Sequence, residues 1–124
     1  MLILDSSCWL EYFLNGANAD HYAPLIEGNE EILVPAIVLH EVFKVVIRSR
    51  NEEAALAVAG IMQQHTVIPV NENIAMFSAR LGVQHDLAMA DSMILATARI
   101  HDVALWTQDA DFKNLESVKY FEKA

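Results

Sequence analysis

Residues 88–112 read AMADSMILATARIHDVALWTQDADF, and the prediction of the fold starts from this stretch. Asp91 precedes an apolar run, 93–98, which predicts a buried helix. The segment 103–106, Val-Ala-Leu-Trp, predicts a buried strand, and Asp109 and Asp111 follow it one residue apart. A carboxylate at the mouth of a core helix is costly unless a cation or hydrogen bonds compensate it. The central question is therefore what compensates these acids.

The composition predicts one folded domain that spans residues 1–124, because 54% of the residues are hydrophobic and only 4 are glycine and 3 proline. Cys8 is the only cysteine and cannot form an internal disulfide, which favours a reducing, cytoplasmic location. Asp5 interrupts the apolar start, so no secretory leader is expected. No apolar stretch reaches the ~20 residues that a membrane span needs.

The net charge follows from 8 basic and 17 acidic residues, which gives −9. Taken alone, this charge argues against nucleic acid, whose binding depends on lysine and arginine. It favours divalent cations, and an acidic site that holds a metal can bind anions. Net charge therefore leaves the class of ligand open.

Short apolar strands alternate with helices along the chain, which predicts an α/β sandwich with a parallel sheet of about five strands. Ser6 or Ser7 is expected to cap the first helix, and Asn51 and Asn71 are expected to cap two later ones. The segment 18–28 is expected to form an exposed helix, and Asp91 to open the last long one. Strands are predicted at 2–4, 32–34, 67–68, 103–106 and 118–120, and the other helices at about 6–14, 35–48, 52–64 and 72–82.

Several acids are expected at one edge of this sheet. Ligands of open parallel sheets bind beyond the carboxyl ends of the strands, and Asp5 and Asp109 follow strands directly or closely. Asp91 begins the helix before one of these strands, and Glu41 lies on the helix after another. The acids that converge are therefore predicted to form one site.

Each acid also has a purely structural interpretation. Asp5 and Asp91 could be helix caps, and Asp109 could cap the turn that contains Phe112. Glu41 could be an exposed partner of Lys44, and Asp111 could be solvated. The joint placement favours a functional site over these separate interpretations.

Clustered carboxylates repel one another and would partly protonate without a cation. Mg²⁺ or Mn²⁺ is the simplest compensating ion, since both take oxygen ligands. His40, His85 and His101 lack zinc-site spacing and are interpreted as structural or surface residues. One or two such ions could activate a water and stabilise the leaving oxygen of a phosphodiester.

The motifs LILDSS, VPAIVLHEV, MADSMILATA and ALWTQDADF, in this order, resemble those of a PIN domain, specifically the VapC-type toxin ribonucleases of toxin–antitoxin pairs. The resemblance covers essentially the whole chain. It implies a PIN-like three-layer sandwich, Mg²⁺- or Mn²⁺-dependent cleavage of RNA, a homodimer, and a separate VapB-type antitoxin that inhibits the toxin.

Matched position by position, the family's four metal-binding and catalytic acids fall on Asp5, Glu41, Asp91 and Asp109. Ser7 and Thr107 match polar neighbours that orient carboxylates or metal-bound water, and Asp111 is treated as auxiliary. The net charge of −9 departs from what RNA binding needs. The candidates for RNA phosphate contacts are Lys44, Arg48 and Arg50, which could equally be ordinary surface charges or antitoxin contacts.

Two other functions stay open at this point. One is a catalytically inactive PIN-like module that docks a protein partner, and the other is a metal-dependent phosphatase, which the lack of an acid two residues beyond Asp5 disfavours. The helix at 18–28 and the helical pair at 36–64 could form a groove for an antitoxin segment. The apolar helices around 52–64 and 72–82 are the candidate dimer faces.

Overall fold

Five strands form the centre of the molecule in the computed structural model, which describes residues 1–124. They form one sheet in the order β3-β2-β1-β4-β5, in which every pairing is parallel. The predicted parallel sheet of about five strands is thus confirmed. The strands are β1 (Leu2–Leu4), β2 (Ile32–Pro35), β3 (Thr66–Ile68), β4 (Ala104–Thr107) and β5 (Val118–Tyr120).

Six helices flank this sheet, and a short 3₁₀ helix at Ala110–Phe112 follows β4. The side chain of Asn51 accepts from the backbone N–H of Ala54 at 2.7 Å, and that of Asn71 accepts from Ile74 at 2.9 Å. Both predicted caps are therefore confirmed. The helices are α1 (Ser6–Phe13), α2 (Ala19–Glu27), α3 (Ala36–Ser49), α4 (Glu52–Met62), α5 (Glu72–His85) and α6 (Met89–Ile100).

The predicted cap of α1 and the predicted start of α6 were wrong, whereas the alternative in which Asp5 caps the first helix is confirmed. Asp5, and not Ser6 or Ser7, caps α1, because its carboxylate accepts from the backbone N–H of Cys8 at 3.2 Å. Helix α6 begins at Met89, so Asp91 lies within its first turn and does not open it. Both acids therefore lie at the beginning of a helix, Asp5 at the cap of α1 and Asp91 in the first turn of α6.

Helix α2 is also less exposed than predicted. Tyr22 and Ile26 on this helix are buried and belong to the main hydrophobic core. The central strands β1 and β2 are buried along their whole length, whereas β3 and β5 at the sheet edges are partly exposed. The core therefore lies on both faces of the central strands.

None of the helices combines the length and the apolar character that crossing a lipid bilayer requires.

Candidate active site

The carboxyl ends of β1 and β4 meet at one edge of the sheet. Leu4 pairs with Trp106, and the backbone N–H of Asp5 donates to the carbonyl of Trp106 at 3.1 Å. Asp5 therefore lies beside Thr107, the last residue of β4. The parallel pairing brings together two segments that the sequence had predicted to end at the same edge.

Asp5 is almost completely buried, with 3% of its surface exposed, and three donors hold its carboxylate. Ser7 Oγ donates to Oδ1 at 2.5 Å, the backbone N–H of Cys8 donates to the same oxygen, and Thr107 Oγ1 donates to Oδ2. Burial raises the pKa of Asp5, and these hydrogen bonds partly offset that effect. The carboxylate is thus fixed in position.

The two hydroxyl groups that hold Asp5 are themselves oriented by the backbone after β4. Gln108 N–H donates to Ser7 Oγ at 3.0 Å, and Asp109 N–H donates to Thr107 Oγ1 at 2.9 Å. Each hydroxyl oxygen accepts a backbone N–H through a lone pair and donates its own proton to Asp5. Ser7 and Thr107 therefore fix the orientation of the Asp5 carboxylate.

Asp91, Asp109 and Asp111 form the tightest group of acids. Each offers a carboxylate oxygen, and these oxygens lie within 4.8 Å of one another. The carboxylate of Asp109 also accepts from the backbone N–H of Asp111 at 2.9 Å, so the structural alternative in which Asp109 caps the turn that contains Phe112 holds as well. Asp111 is exposed, and it belongs to this group of three acids, whereas the resemblance had implied only an auxiliary role for it.

The charges of five acids act on one another at this edge. The pKa of Asp91 is raised to about 7, first by burial and then by the negative charges of Asp109, Glu41, Asp5 and Asp111. Such repulsion among carboxylates is what a bound cation relieves. Three of the acids that the sequence had singled out, Asp91, Asp109 and Asp111, therefore form a compact group, and the charges of Asp5 and Glu41 act on it.

Glu41 reaches the site from α3 and is half-buried. Burial raises its pKa, the charges of Asp5 and Asp109 raise it further, and Ser6 and His40 oppose the shift. Its Oε1 atom is buried without a hydrogen-bond partner. The alternative in which Glu41 pairs with Lys44 is wrong, because the one ion pair of the chain joins the amino group of Met1 to Glu30.

These observations fit a divalent cation. Carboxylate oxygens are the ligands that Mg²⁺ and Mn²⁺ prefer, and the group contains no cysteine or histidine. The unpartnered oxygen of Glu41 is an acceptor that lacks a positive partner. The arrangement can therefore hold a divalent metal ion.

The three basic residues that are candidates for RNA contacts line two different cavities. Lys44 and Arg48 line a groove of about 380 Å³ that also contains Glu41. Arg50 lines a separate apolar cavity of about 60 Å³ together with Phe13. Only the first two lie beside the acids.

His40 also lines this groove, and it is exposed, in agreement with its interpretation as a structural or surface residue. Its spacing of four and eight residues from Lys44 and Arg48 places all three on one face of α3.

Comparison with known proteins gives a consistent result. The model of the PIN domain family matches residues 2–118. A toxin–antitoxin complex from Klebsiella pneumoniae contains a chain that is 22% identical, with a TM-score of 0.81 over 98% of this chain and 99% of that one. No curated protein sequence matches the chain.

Two further solved structures have the same fold. VapC20 from Mycobacterium tuberculosis, described as a Sarcin-Ricin loop cleaving toxin, is 19% identical, with a TM-score of 0.79 over 94% of this chain and 95% of that one. FitAcB from Neisseria gonorrhoeae is 23% identical, with a TM-score of 0.73 over 98% and 97% of the two chains. The PIN-like fold predicted from the motifs is thus confirmed.

Proposed function

The chain belongs to the PIN domain family, and on this premise we propose that it is a metal-dependent endoribonuclease that acts as the toxin of a VapBC-type pair. The observation that carries the proposal is the group of Asp91, Asp109 and Asp111 oxygens within 4.8 Å of one another. Asp5 and Glu41 act on the same group through their charges. In this proposal residues 1–124 form one PIN-like domain.

In the proposed reaction, Asp5, Glu41, Asp91 and Asp109 hold one or two Mg²⁺ or Mn²⁺ ions, and Asp111 assists. The metal, when bound, supplies an activated water and stabilises charge on the leaving oxygen. Asp5 contributes a carboxylate that is already oriented by Ser7 and Thr107. The carboxylate of Asp5 therefore does not have to be ordered when the metal binds.

Glu41 is proposed as a metal ligand or as the base for the attacking water. Burial raises the pKa of its carboxyl group, a direction that suits a general base. Its Oε1 atom is buried and has no hydrogen-bond partner within the chain. The substrate that the proposal assigns is RNA, cleaved at a phosphodiester bond, with Lys44 and Arg48 beside the reacting group.

The proposed partners are a VapB-type antitoxin and a second copy of the chain, with the cytoplasm as the location. Solved structures of this fold include toxin–antitoxin complexes, which supports the first partner. Helices α4 and α5 carry exposed apolar side chains that suit a dimer face, namely Leu56, Met76 and Val83.

The test is cleavage of total cellular RNA by the purified protein in Mg²⁺, Mn²⁺ or EDTA. We expect discrete fragments with either metal and none in EDTA or with Asp91→Asn. Asp102→Asn is the matched control, because Asp102 is exposed and lies outside the acid group. Intact RNA in every lane, together with no binding of Mn²⁺, would favour a PIN-like module that only docks a partner.

A further inference from the structure

Asn18 lies at the beginning of α2 but does not cap this helix with its side chain. An asparagine at this position commonly accepts from a backbone N–H of the first turn, and Asn18 makes no such bond. Its φ and ψ are −95° and 8°, whereas the backbone is extended at the two asparagines that do cap helices, Asn51 and Asn71. Asn18 is nevertheless buried, with 8% of its surface exposed. The local sequence therefore does not explain why an asparagine occupies this position.

The side-chain amide of Asn18 joins segments that are far apart in the chain. Its Nδ2 atom donates to Oε1 of Gln108 at 2.7 Å and to the backbone carbonyl of Glu122 at 3.0 Å. Because a backbone carbonyl can only accept, the atom that faces Glu122 must be the amide nitrogen, and both of its hydrogens are used. Asn18 thus ties the start of α2 to the segment after β4 and to the segment after β5.

Asn18 is itself held in place by α1. Its backbone N–H donates to the carboxylate of Glu11 at 2.8 Å. The same carboxylate lies against Gly16, where an added Cβ would come within 2.2 Å of Oε1. A side chain at position 16 would therefore push the Glu11 carboxylate away from its place. The backbone of Asn18 is fixed by this contact, and its side chain extends from there to Gln108.

Gln108 connects Asn18 to the candidate active site. It is buried, with 3% of its surface exposed, and its backbone N–H donates to Ser7 Oγ at 3.0 Å. Ser7 Oγ in turn donates to the carboxylate of Asp5. Gln108 thus accepts from Asn18 with its side chain and orients Ser7 with its backbone. Three consecutive hydrogen bonds lead from Asn18 to Asp5.

We propose that Asn18 is a positioning residue for the candidate active site. It holds Gln108 so that Ser7 keeps the orientation in which it donates to Asp5, and it holds the segment after β5 against the same place. The inference rests on the proposed function, because it assigns to that reaction a residue that acts only through Gln108 and Ser7. Without the Asn18 amide, the chain should still fold, but the carboxylate of Asp5 should be less firmly oriented.

The first measurement is hydrogen exchange of the Gln108 backbone amide, followed by NMR in the full chain without metal. Asn18→Ala should speed this exchange roughly ten-fold or more, because the side chain of Gln108 then lacks its buried partner. Asn51→Ala is the matched control. It removes the cap of α4, which follows the 14-residue helix α3 and so lies about 20 Å from the sheet edge where α3 begins. Exchange at Gln108 in this control should change only as much as the overall stability does.

The second measurement is the affinity for Mn²⁺ by isothermal titration calorimetry. Asn18→Ala should weaken binding roughly ten-fold, as the loss of a group that orients a metal ligand does, and Asn51→Ala should bind like the parent. Circular dichroism confirms that each variant is folded.

Gln108→Met removes the same contact from the other side with a side chain of similar length, and it carries the test if Asn18→Ala does not fold. It should weaken Mn²⁺ binding by a similar factor. The double variant should lose much less than the product of the two single losses, because both substitutions remove one hydrogen bond.

The inference is overturned if exchange at Gln108 rises no more in Asn18→Ala than in Asn51→Ala, or if Asn18→Ala binds Mn²⁺ as tightly as the parent does. Such a result in a parent that cuts RNA would leave the proposed function intact. The proposed function fails separately, if the parent binds no Mn²⁺ or cuts no RNA. Faster exchange at Gln108 in Asn18→Ala would then still assign the positioning role to Asn18.

Discussion

The hydroxyl of Thr107 donates a hydrogen bond to the buried carboxylate of Asp5, although 102 positions separate the two residues in the chain. The same hydroxyl accepts from the backbone N–H of Asp109 at 2.9 Å. One side chain at the end of β4 therefore sets the position of one acid and the backbone of another. This relationship joins the ends of β1 and β4 at the candidate active site.

Thr107→Val should lower the free energy of unfolding by about 1–3 kcal/mol, because it leaves Asp5 Oδ2 and the N–H of Asp109 without this partner. Urea denaturation of the metal-free protein measures the change. Thr66→Val is the control, since Thr66 is an exposed threonine of a strand, and its effect should stay within about 0.5 kcal/mol. Equal losses in the two variants would contradict the role of Thr107.

Stability of the metal-free protein should depend on the ionisation of Asp91. The pKa of its carboxyl group is near 3.8 in the unfolded chain and about 7 in the fold. Between these values the folded state keeps a proton that the unfolded state has released, so the stability that this group contributes is present below about pH 4 and is lost as pH rises to about 7.

Urea midpoints measured in EDTA across this range test the prediction, with Asp91→Asn as the comparison. The variant should lose less stability between pH 4 and pH 7 than the parent does, because the amide that replaces the carboxyl group does not ionise. An identical decline in both proteins would show that Asp91 does not carry the effect.

Asp111→Asn should weaken Mn²⁺ binding by on the order of ten-fold or more, since Asp111 shares the oxygen group with Asp91 and Asp109. Isothermal titration calorimetry measures the dissociation constant. Asp102→Asn should bind Mn²⁺ like the parent, because Asp102 is an exposed acid outside that group. If Asp111→Asn binds Mn²⁺ as tightly as the parent does, Asp111 does not hold the metal and its role is auxiliary.

Cys8 should resist thiol reagents in the folded protein. It is fully buried, its Sγ donates to the carbonyl of Trp106 at 3.4 Å, and burial followed by the charge of Asp5 raises the pKa of the thiol. Only the thiolate reacts readily. Labelling with an aromatic disulfide at pH 8 should therefore be slow in buffer and fast in urea, and rapid labelling of the native protein would show that α1 opens.

The sheet could be predicted from the sequence because its central strands are apolar throughout. Residues 2–4 and 32–35 are buried at every position, as a strand covered on both faces must be. The caps at Asn51 and Asn71 were also predictable, since an N-cap acts within three residues. Local rules are sufficient where the interaction itself is local.

The details of the site were harder to predict, because they depend on contacts between distant segments. Nothing near Asp5 in the chain shows that Thr107 donates to it. The separation of Arg50 from Lys44 and Arg48 has a simpler cause. Arg50 lies beyond the end of α3 at Ser49 and off its four-residue repeat, so it points to an apolar cavity and not to the groove that holds Lys44 and Arg48.

The bond between Thr107 and Asp5 also has a consequence for the order in which the site matures during synthesis. Asp5 is translated before its hydroxyl partner, which follows 102 residues later, and Asp109 and Asp111 come later still. A nascent chain that ends before β4 therefore lacks Thr107, Asp109 and Asp111. Under the proposed function, such a chain cannot yet cleave RNA.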